Sequence, residues 1–314
     1  MSDRRAPASS VLFAAAALIW GSTWLGIKYQ LGVVAPEASV SYRFALAAVL
    51  LAAWCATSGR SLRFDARQHA FIALQGTLLF GLNYVGVYWA EQYATSGLVA
   101  VLFSTIVFMN PIGARIAFGT PLGARTLFAA ALGVMGVALL FLPELSHVRD
   151  GGDATLGIVF GLGATVIASA GNLTAVRNQR AGIPVLPGTA WSMLYGAGVA
   201  AIAGLLHGIP WTFDASAPYL LSLAYLSVFG SVIAFGSYLT LMKHVGPARA
   251  AYVGIAVPVV ALALSTLFEG YRWTWTAALG VVLAVIANWI ALRPAAPASG
   301  ALANGGLGPR RLTR

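Results

Sequence analysis

Ten apolar runs, each about 20 residues long, constrain the fold of this chain more than any other sequence feature. An α-helix rises about 1.5 Å per residue, so a helix of this length matches the hydrocarbon core of a bilayer. Short links rich in Gly, Pro and charged residues separate the runs. The runs cover residues 11–32, 38–57, 70–90, 95–117, 124–142, 156–176, 186–206, 218–240, 247–268 and 274–292. We therefore predict an all-α membrane protein with ten transmembrane helices.

The composition agrees with this prediction. Hydrophobic residues make up 59% of the chain and charged residues only 9%, whereas a soluble domain carries roughly 25% charged residues. The surface must therefore face lipid. The first run follows Arg4 and Arg5, but it is too long for a cleaved signal peptide and no small-residue cleavage site follows it. We interpret it as the first helix.

Several classes of function are excluded by what the sequence lacks. Cys55 is the only cysteine and the four histidines lie far apart, so no disulfide framework, metal site or other cofactor is predicted. The chain has no phosphate-binding loop, no nucleophile-elbow motif and no zinc-protease motif. A membrane-embedded enzyme acting on lipid-linked substrates would need clustered acids or histidines near an interface. The sequence shows no such cluster, so we expect no enzyme.

The distribution of charged residues along the chain indicates how the helices are oriented across the membrane. The net charge is +10, but the basic residues form short clusters between apolar runs rather than a face for nucleic acid. Lys and Arg are retained in cytoplasmic links. With the N-terminus inside, most of the 19 basic residues fall on the inner side. The acids predicted on the outer side are Glu37, Glu91, Glu144, Asp150, Asp153, Asp214 and Glu269. This segregation predicts ten spans with both termini cytoplasmic.

Two halves of the chain match each other. Ala130–Val134 recurs as Ala277–Val281, and Gly21–Ser22 lies opposite Gly171–Asn172, at offsets of 147 and 150 residues. Each half holds five spans, and an odd number reverses the direction in which the second half enters the membrane. The pattern predicts an inverted-topology repeat, which is typical of secondary transporters with a site at the repeat interface. Duplication for purely structural reasons remains an alternative.

This reading divides the chain into four parts. Residues 1–10 form a cytoplasmic N-terminal tail, and residues 11–145 form the first five-helix repeat. Residues 155–293 form the second repeat. Residues 294–314 are too poor in apolar side chains to pack, so we predict a disordered cytoplasmic C-terminal tail.

Four segments resemble a known transporter family. Ala17–Trp24 with Ile27–Lys28 resembles the opening of an EamA-type repeat. Tyr42–Ala48, Thr95–Leu102 and Val257–Pro258 resemble its second, fourth and ninth helices. The chain is thus similar to the drug/metabolite transporter superfamily, and most similar to ten-helix amino-acid exporters of the YddG type.

The resemblance implies a multi-pass protein of the bacterial inner membrane. Helices 1–4 and 6–9 would surround a central cavity at the midplane, and helices 5 and 10 would be peripheral. It also implies a secondary transporter that exports amino acids or similar small polar metabolites by alternating access. A multidrug exporter of the same fold is the alternative, and the sequence does not separate the two. The expected partners are a small-molecule substrate and the lipid bilayer, without nucleic acid or an obligate protein partner.

Polar side chains inside the apolar runs are the candidates for a substrate site, because polar groups are costly in hydrocarbon unless they are paired or face a cavity. Ser22 and Asn172 lie at repeat-related positions, and a carboxamide such as that of Asn83 is not expected to face lipid. A Ser or Thr can instead bond to its own helix backbone. The predicted substrate-binding residues are Trp20, Ser22, Thr23, Trp24, Asn83, Tyr84, Tyr88, Thr105, Asn110, Asn172, Ser237 and Tyr252.

One charge lies within the second run. Arg43 could pair with Glu37, bind a substrate carboxylate or extend towards the outer surface, and we interpret Arg43 and Glu37 as structural or gating charges. Every acid and histidine is placed in a link or at the end of a run. Since proton-coupled carriers commonly use such a residue within the membrane, we expect facilitated movement down the substrate gradient.

Overall fold

The structure is a computed structural model that describes residues 9–146, 154–245, 250 and 252–292. The described residues form ten helical segments and no strand. Most of the two predicted tails, and the predicted outer residues Asp150 and Asp153, lie outside the described residues.

Each helix overlaps one predicted apolar run. The first half contains α1 (Ser9–Lys28), α2 (Pro36–Thr57), α3 (Ala66–Tyr93), α4 (Ser96–Phe118) and α5 (Ala124–Ser146). The second half contains α6 (Ala154–Arg180), α7 (Val185–Leu206), α8 (residues 217–245), α9 (Val253–Phe268) and α10 (Trp275–Leu292). The helices α1–α8 are long and apolar enough to cross a membrane, whereas α9 and α10 are shorter apolar helices.

Two of the helices are interrupted by π-helical stretches at related positions. Thr77–Leu82 lies within α3 and Leu226–Ile233 lies within α8, and the two stretches begin 149 residues apart. A π turn widens the helix locally, and such turns are frequent at functional sites. In α3 the stretch is followed directly by Asn83, whose side chain is therefore positioned by the widened turn.

The helix contacts come in matched sets. The pairs α2–α7, α4–α9 and α5–α10 pack together. The contact of α1 with α9 has a counterpart in that of α6 with α4, and the contact of α3 with α6 has one in that of α8 with α1. When α1 is exchanged with α6, α2 with α7 and so on, each of these helix contacts thus becomes another contact that is present. A twofold axis between the two halves would produce this pattern.

The pair α5–α10 packs against α4 and α9, on the side of these helices away from the central cavity. The two helices cross at Gly136 and Gly280, where a Cβ on Gly136 would lie 2.7 Å from the carbonyl oxygen of Gly280. Small residues at such a crossing let two membrane helices approach closely. Among the described residues of α5 and α10, none lines the central cavity. The cavity is therefore enclosed by the other helices.

Candidate functional site

A cavity of two connected chambers runs along the centre of the bundle. The wide chamber has a volume of about 720 Å³ and the deep chamber about 240 Å³. The chambers are continuous, since Asn83, Tyr84 and Phe235 line both. Together they are lined by residues of α1, α3, α4, α6, α7, α8 and α9.

The wide chamber is lined by carboxamides and opens at one end. Gln75, Asn110, Asn172 and Asn178 lie on its walls. It reaches the turn between α6 and α7, where Gln179 is exposed. This turn belongs to the end of the bundle that the charge pattern predicts to be cytoplasmic, and it is called the inner end below.

Aromatic side chains form the walls of the deep chamber and pack against one another. The rings of Trp24 and Phe103 meet edge to face, with centroids 5.4 Å apart. The rings of Trp20 and Phe235 do the same at 5.3 Å. The indole Nε1 of Trp20 donates a hydrogen bond to the carbonyl oxygen of Gly230 at 3.1 Å, which links α1 to the π-helical stretch of α8. This chamber is a slot with aromatic walls.

Two amide oxygens at the cavity have no partner. The Nδ2 of Asn83 donates to the carbonyl oxygen of Leu79 at 3.0 Å, which leaves Oδ1 buried and unbonded. The Oδ1 of Asn110 is also buried without a partner. The described residues that line the two chambers include no Asp, Glu, Lys, Arg or His. The site thus offers hydrogen-bond acceptors and aromatic faces, but no formal charge.

Seven of the residues predicted from sequence line this cavity. They are Trp20, Thr23, Trp24, Asn83, Tyr84, Asn110 and Asn172. The structure brings them together from α1, α3, α4 and α6. Their role in binding substrate stays a prediction.

The hydroxyls of two predicted residues are used within the fold instead. Ser22 donates to the carbonyl oxygen of Leu18 at 2.6 Å and shares a hydrogen bond of 2.6 Å with the hydroxyl of Tyr225. Thr105 donates to the carbonyl oxygen of Leu102 at 2.8 Å. Neither residue lines the cavity. Thr23 also bonds to its own helix, donating to the carbonyl oxygen of Trp20 at 2.7 Å, but it does line the deep chamber.

Three more predicted residues lie elsewhere. Tyr252 lines a lateral groove with Phe13 and Trp289. Tyr88 is fully buried and donates to Oε1 of Gln30 at 2.5 Å. Ser237 is partly buried on α8 and lines neither chamber. The sequence gives the position of each residue along its helix, but the rotation of the helix decides which face meets the cavity.

Sequence reasoning also missed several lining residues. Gln75 lies within a predicted run, and its carboxamide was a signal that could have identified it. Asn178 lies just beyond the predicted end of its run, and its Nδ2 donates to Oε1 of Gln75 at 2.9 Å. Phe103 and Phe235 are apolar residues in apolar runs, so no sequence signal separates them from lipid-facing phenylalanines.

Arg43 and Glu37 do not pair with each other. Glu37 is buried, and its Oε1 lies 2.9 Å from Nδ1 of His207. The guanidinium of Arg43 lies over the rings of Tyr84 and Phe44, at 4.7 Å and 5.0 Å from their centroids. Arg43 is only 2% exposed, so it does not extend to the surface. It does not line either chamber, and its Nε and Nη1 have no hydrogen-bond partner.

Beyond the deep chamber, at the other end of the cavity, a polar network joins the ends of four helices. The Nζ of Lys28, at the end of α1, donates to the carbonyl oxygen of Glu91, near the end of α3, and to that of Ala94, which directly follows α3. Lys28 Nζ also lies 3.9 Å from Oε1 of Glu269, which follows α9. Glu269 in turn accepts hydrogen bonds from the backbone N–H of Ser96, the first residue of α4, at 3.1 Å, and from its hydroxyl at 2.5 Å. This end is called the outer end below.

Comparison with known proteins gives consistent matches over nearly the whole chain. Residues 8–142 and 155–293 each match the profile of the EamA-like transporter family. The chain is 30% identical over 275 residues to the "Uncharacterized inner membrane transporter YedA" of Escherichia coli K12, covering 86% of each chain. It is 23% identical over 285 residues to "Protein PagO" of Salmonella typhimurium, covering 90% of this chain and 92% of that one. It is 24% identical over 288 residues to the "Uncharacterized transporter YvbV" of Bacillus subtilis.

A solved crystal structure has the same fold. It superposes with a TM-score of 0.62 at 18% sequence identity, over 90% of this chain and 96% of the other. At this identity the likeness concerns the fold alone.

Proposed function

Because the chain belongs to the EamA-like transporter family, we propose that it is a secondary transporter that exports amino acids or similar small polar metabolites. Membership of this family indicates a membrane transporter rather than an enzyme. We place it in the inner membrane as a multi-pass protein, as the name of the relative from Escherichia coli states for that protein.

One observation carries the proposal. The central cavity is wide and lined by amides at the inner end, but a network of Lys28, Glu269 and Ser96 closes the outer end. Transport by alternating access requires a site that is open to one side at a time. The arrangement supports an inward-facing carrier with its substrate site between the two chambers.

The proposed architecture has ten membrane-crossing helices in two inverted five-helix repeats, with both termini cytoplasmic. The matched helix contacts and the π-helical stretches in α3 and α8 support this architecture. The separate family matches of residues 8–142 and 155–293 support it as well. In this architecture α9 and α10 also cross the membrane, although they are shorter than the other helices.

The chemistry of the cavity favours substrates that donate hydrogen bonds. The unpartnered oxygens of Asn83 and Asn110 would accept from an ammonium, amide or hydroxyl group. The aromatic slot formed by Trp24 and Phe103 would pack against an apolar part of the same substrate or hold a cation over a ring face. Without an ion pair in the lining the substrate would be bound weakly, and weak binding permits release on the far side.

Transport by this cavity is facilitative in our proposal. The described lining residues of both chambers include no acid and no histidine, so no proton carrier lies beside the substrate. A multidrug exporter is the second candidate, and the predominantly aromatic and aliphatic lining of the deep chamber is the observation that favours it.

Counterflow into liposomes that contain only this protein tests the proposal. The liposomes are preloaded with one unlabelled compound, and entry of the same labelled compound is measured for a panel of amino acids and of lipophilic organic cations. We expect transient accumulation of one or more amino acids and none in protein-free liposomes. Exchange of the cations alone would replace the amino-acid proposal with the multidrug one. Exchange of neither class would contradict both.

A further inference from the structure

A carboxyl group is buried without a partner at the outer end. Glu91 lies near the end of α3 and is 0% exposed. Both of its carboxyl oxygens are buried and make no hydrogen bond. In native structures the large majority of buried polar side-chain atoms have a partner. A carboxyl group with two unsatisfied oxygens therefore points to a function.

Charged groups surround Glu91 but are engaged elsewhere. Lys28 of α1, Arg43 of α2 and Glu269 beyond α9 lie within electrostatic range of its carboxyl group, and so does Tyr88 on α3 itself. Lys28 reaches the backbone carbonyl of Glu91, not its carboxyl group, and is directed towards Glu269.

Arg43, the second cation near Glu91, also has other partners. The guanidinium of Arg43 lies over the rings of Tyr84 and Phe44. Among the described residues no cation lies within ion-pair distance of the Glu91 carboxyl group. An ionised carboxylate that is dry and not directly paired costs several kcal/mol, whereas a neutral carboxylic acid costs far less.

The position of Glu91 links it to the cavity. Val87 lines the deep chamber, and Glu91 follows four residues later on the same face of α3. Ile27 lines the same chamber and directly precedes Lys28. Glu91 thus lies one helical turn beyond the chamber, inside the network that closes the outer end. Any outward opening must separate the ends of α1, α3, α4 and α9, and this separation would expose Glu91 to water.

We propose that Glu91 is a proton-binding site and that the outer end closes only when Glu91 holds a proton. When the outer end is open, the carboxylate of Glu91 takes a proton from the outer solution and becomes a neutral acid. Closure then buries the neutral acid, as in the arrangement described here. On reopening, the proton returns to the outer water, so substrate movement remains facilitative while its rate depends on outer pH.

The sign of the pH effect follows from this linkage. The closed form holds one proton more than the open form, so acid favours the closed outer end and alkali favours the open one. This inference rests on the proposed function only in assuming that the outer end opens. It is tested without any substrate, so its failure is separate from that of the export proposal.

The experiment measures access to the deep chamber from outside. Ala100, which lines that chamber, is replaced by Cys in a Cys55→Ala background, and right-side-out membrane vesicles are treated with a membrane-impermeant maleimide. The labelling rate is divided by that of a Ser216→Cys protein, because Ser216 is exposed in an outer link and reports only the ionisation of the thiol. From about pH 5.5 to about pH 8 we expect the normalised rate to rise about tenfold.

The matched variants decide between Glu91 and the histidine at the same end. In Glu91→Gln, a neutral isostere of the protonated acid, the normalised rate should stay low at every pH. In His207→Gln, which removes the imidazole that lies 2.9 Å from Glu37 at the same end, the rise should persist. Glu91→Met provides the same test if the Gln variant does not reach the membrane. An unchanged rise in the Glu91 variants, or a flat response in the parent, would overturn the proposal.

Discussion

The two ends of the cavity differ in the kind of polar group they contain and in the hydrogen-bond partners of those groups. At the inner end neutral carboxamides such as Asn172 and Gln179 line the wide chamber, where water can serve as their partner. At the outer end Lys28 and Glu269 are bonded to backbone groups and to Ser96, and Glu91 is buried beside them. Since water solvates neutral amides whether the helices move or not, the inner end can stay open at little cost.

In our proposal Lys28, Glu269 and Ser96 hold the outer end closed, because they bond to one another and to backbone groups. Separating α1, α3, α4 and α9 would break the charged hydrogen bonds of Lys28 and Glu269, and hydrogen bonds to charged groups contribute about 1.5–3 kcal/mol each. New hydrogen bonds to water would offset part of this lost stabilisation as the end opens. If the chain alternates access as proposed, the charged contacts at the outer end contribute to the barrier to outward opening.

The largest expected effect concerns which end of the cavity faces the cytoplasm. Reporter fusions after residues 60 and 180 should read as cytoplasmic, and a fusion near residue 150 should read as external. The effect is all or none, because a reporter enzyme is active on only one side of the membrane. A cytoplasmic signal at residue 150 would invalidate both the inverted repeat and the assignment of the inner and outer ends.

A second prediction concerns the cavity between the two ends. Asn83→Leu should lower counterflow by roughly tenfold, because leaving a substrate donor without its acceptor costs about 1–3 kcal/mol. The amount of protein in the membrane should stay nearly constant. Tyr252→Phe serves as the control, since Tyr252 lies in the lateral groove, and it should transport normally. Equal counterflow in the two variants would show that Asn83 is merely structural.

A third prediction sharpens the role of the polar network at the outer end. Glu269→Gln removes the charge that holds Lys28 and weakens the bonds to Ser96. We expect labelling of a cysteine at position 100 from outside to increase about threefold at fixed pH, since part of the lost hydrogen bonding is replaced by water. Asp214→Asn changes a partly exposed acid of an outer link, away from Lys28 and Glu269, and should leave the rate unchanged. If both variants label like the parent, Glu269 does not hold the outer end closed.

Residue patterns predicted the helices well because hydrophobicity alone decides which segments enter a bilayer. Each predicted run overlaps one helix, and α2 ends at Thr57 as predicted. The boundaries of α1 differ by several residues from the prediction, because flanking residues such as Gly32 continue an apolar run without being helical. The π-helical stretches carried no sequence signal that we could identify.

The candidate site was predicted only in part, and the reason is geometric. Trp20, Trp24 and Asn83 were expected at the cavity and line it, but Tyr252 and Tyr88 were expected there too and do not. The sequence gives the depth of a side chain through its distance from the ends of the run. It does not give the rotation of the helix about its axis, which packing against neighbouring helices sets.

The sequence by itself determined that this chain crosses a membrane, that its halves are related and that it resembles a transporter family. These properties depend on hydrophobicity, spacing and motif, all of which are local. Only the tertiary structure decided that Glu37 meets His207 rather than Arg43, and that Glu91 is dry although it lies near the end of α3. Such contacts join residues that are distant in the chain, so they depend on how the helices pack, and no local pattern encodes them.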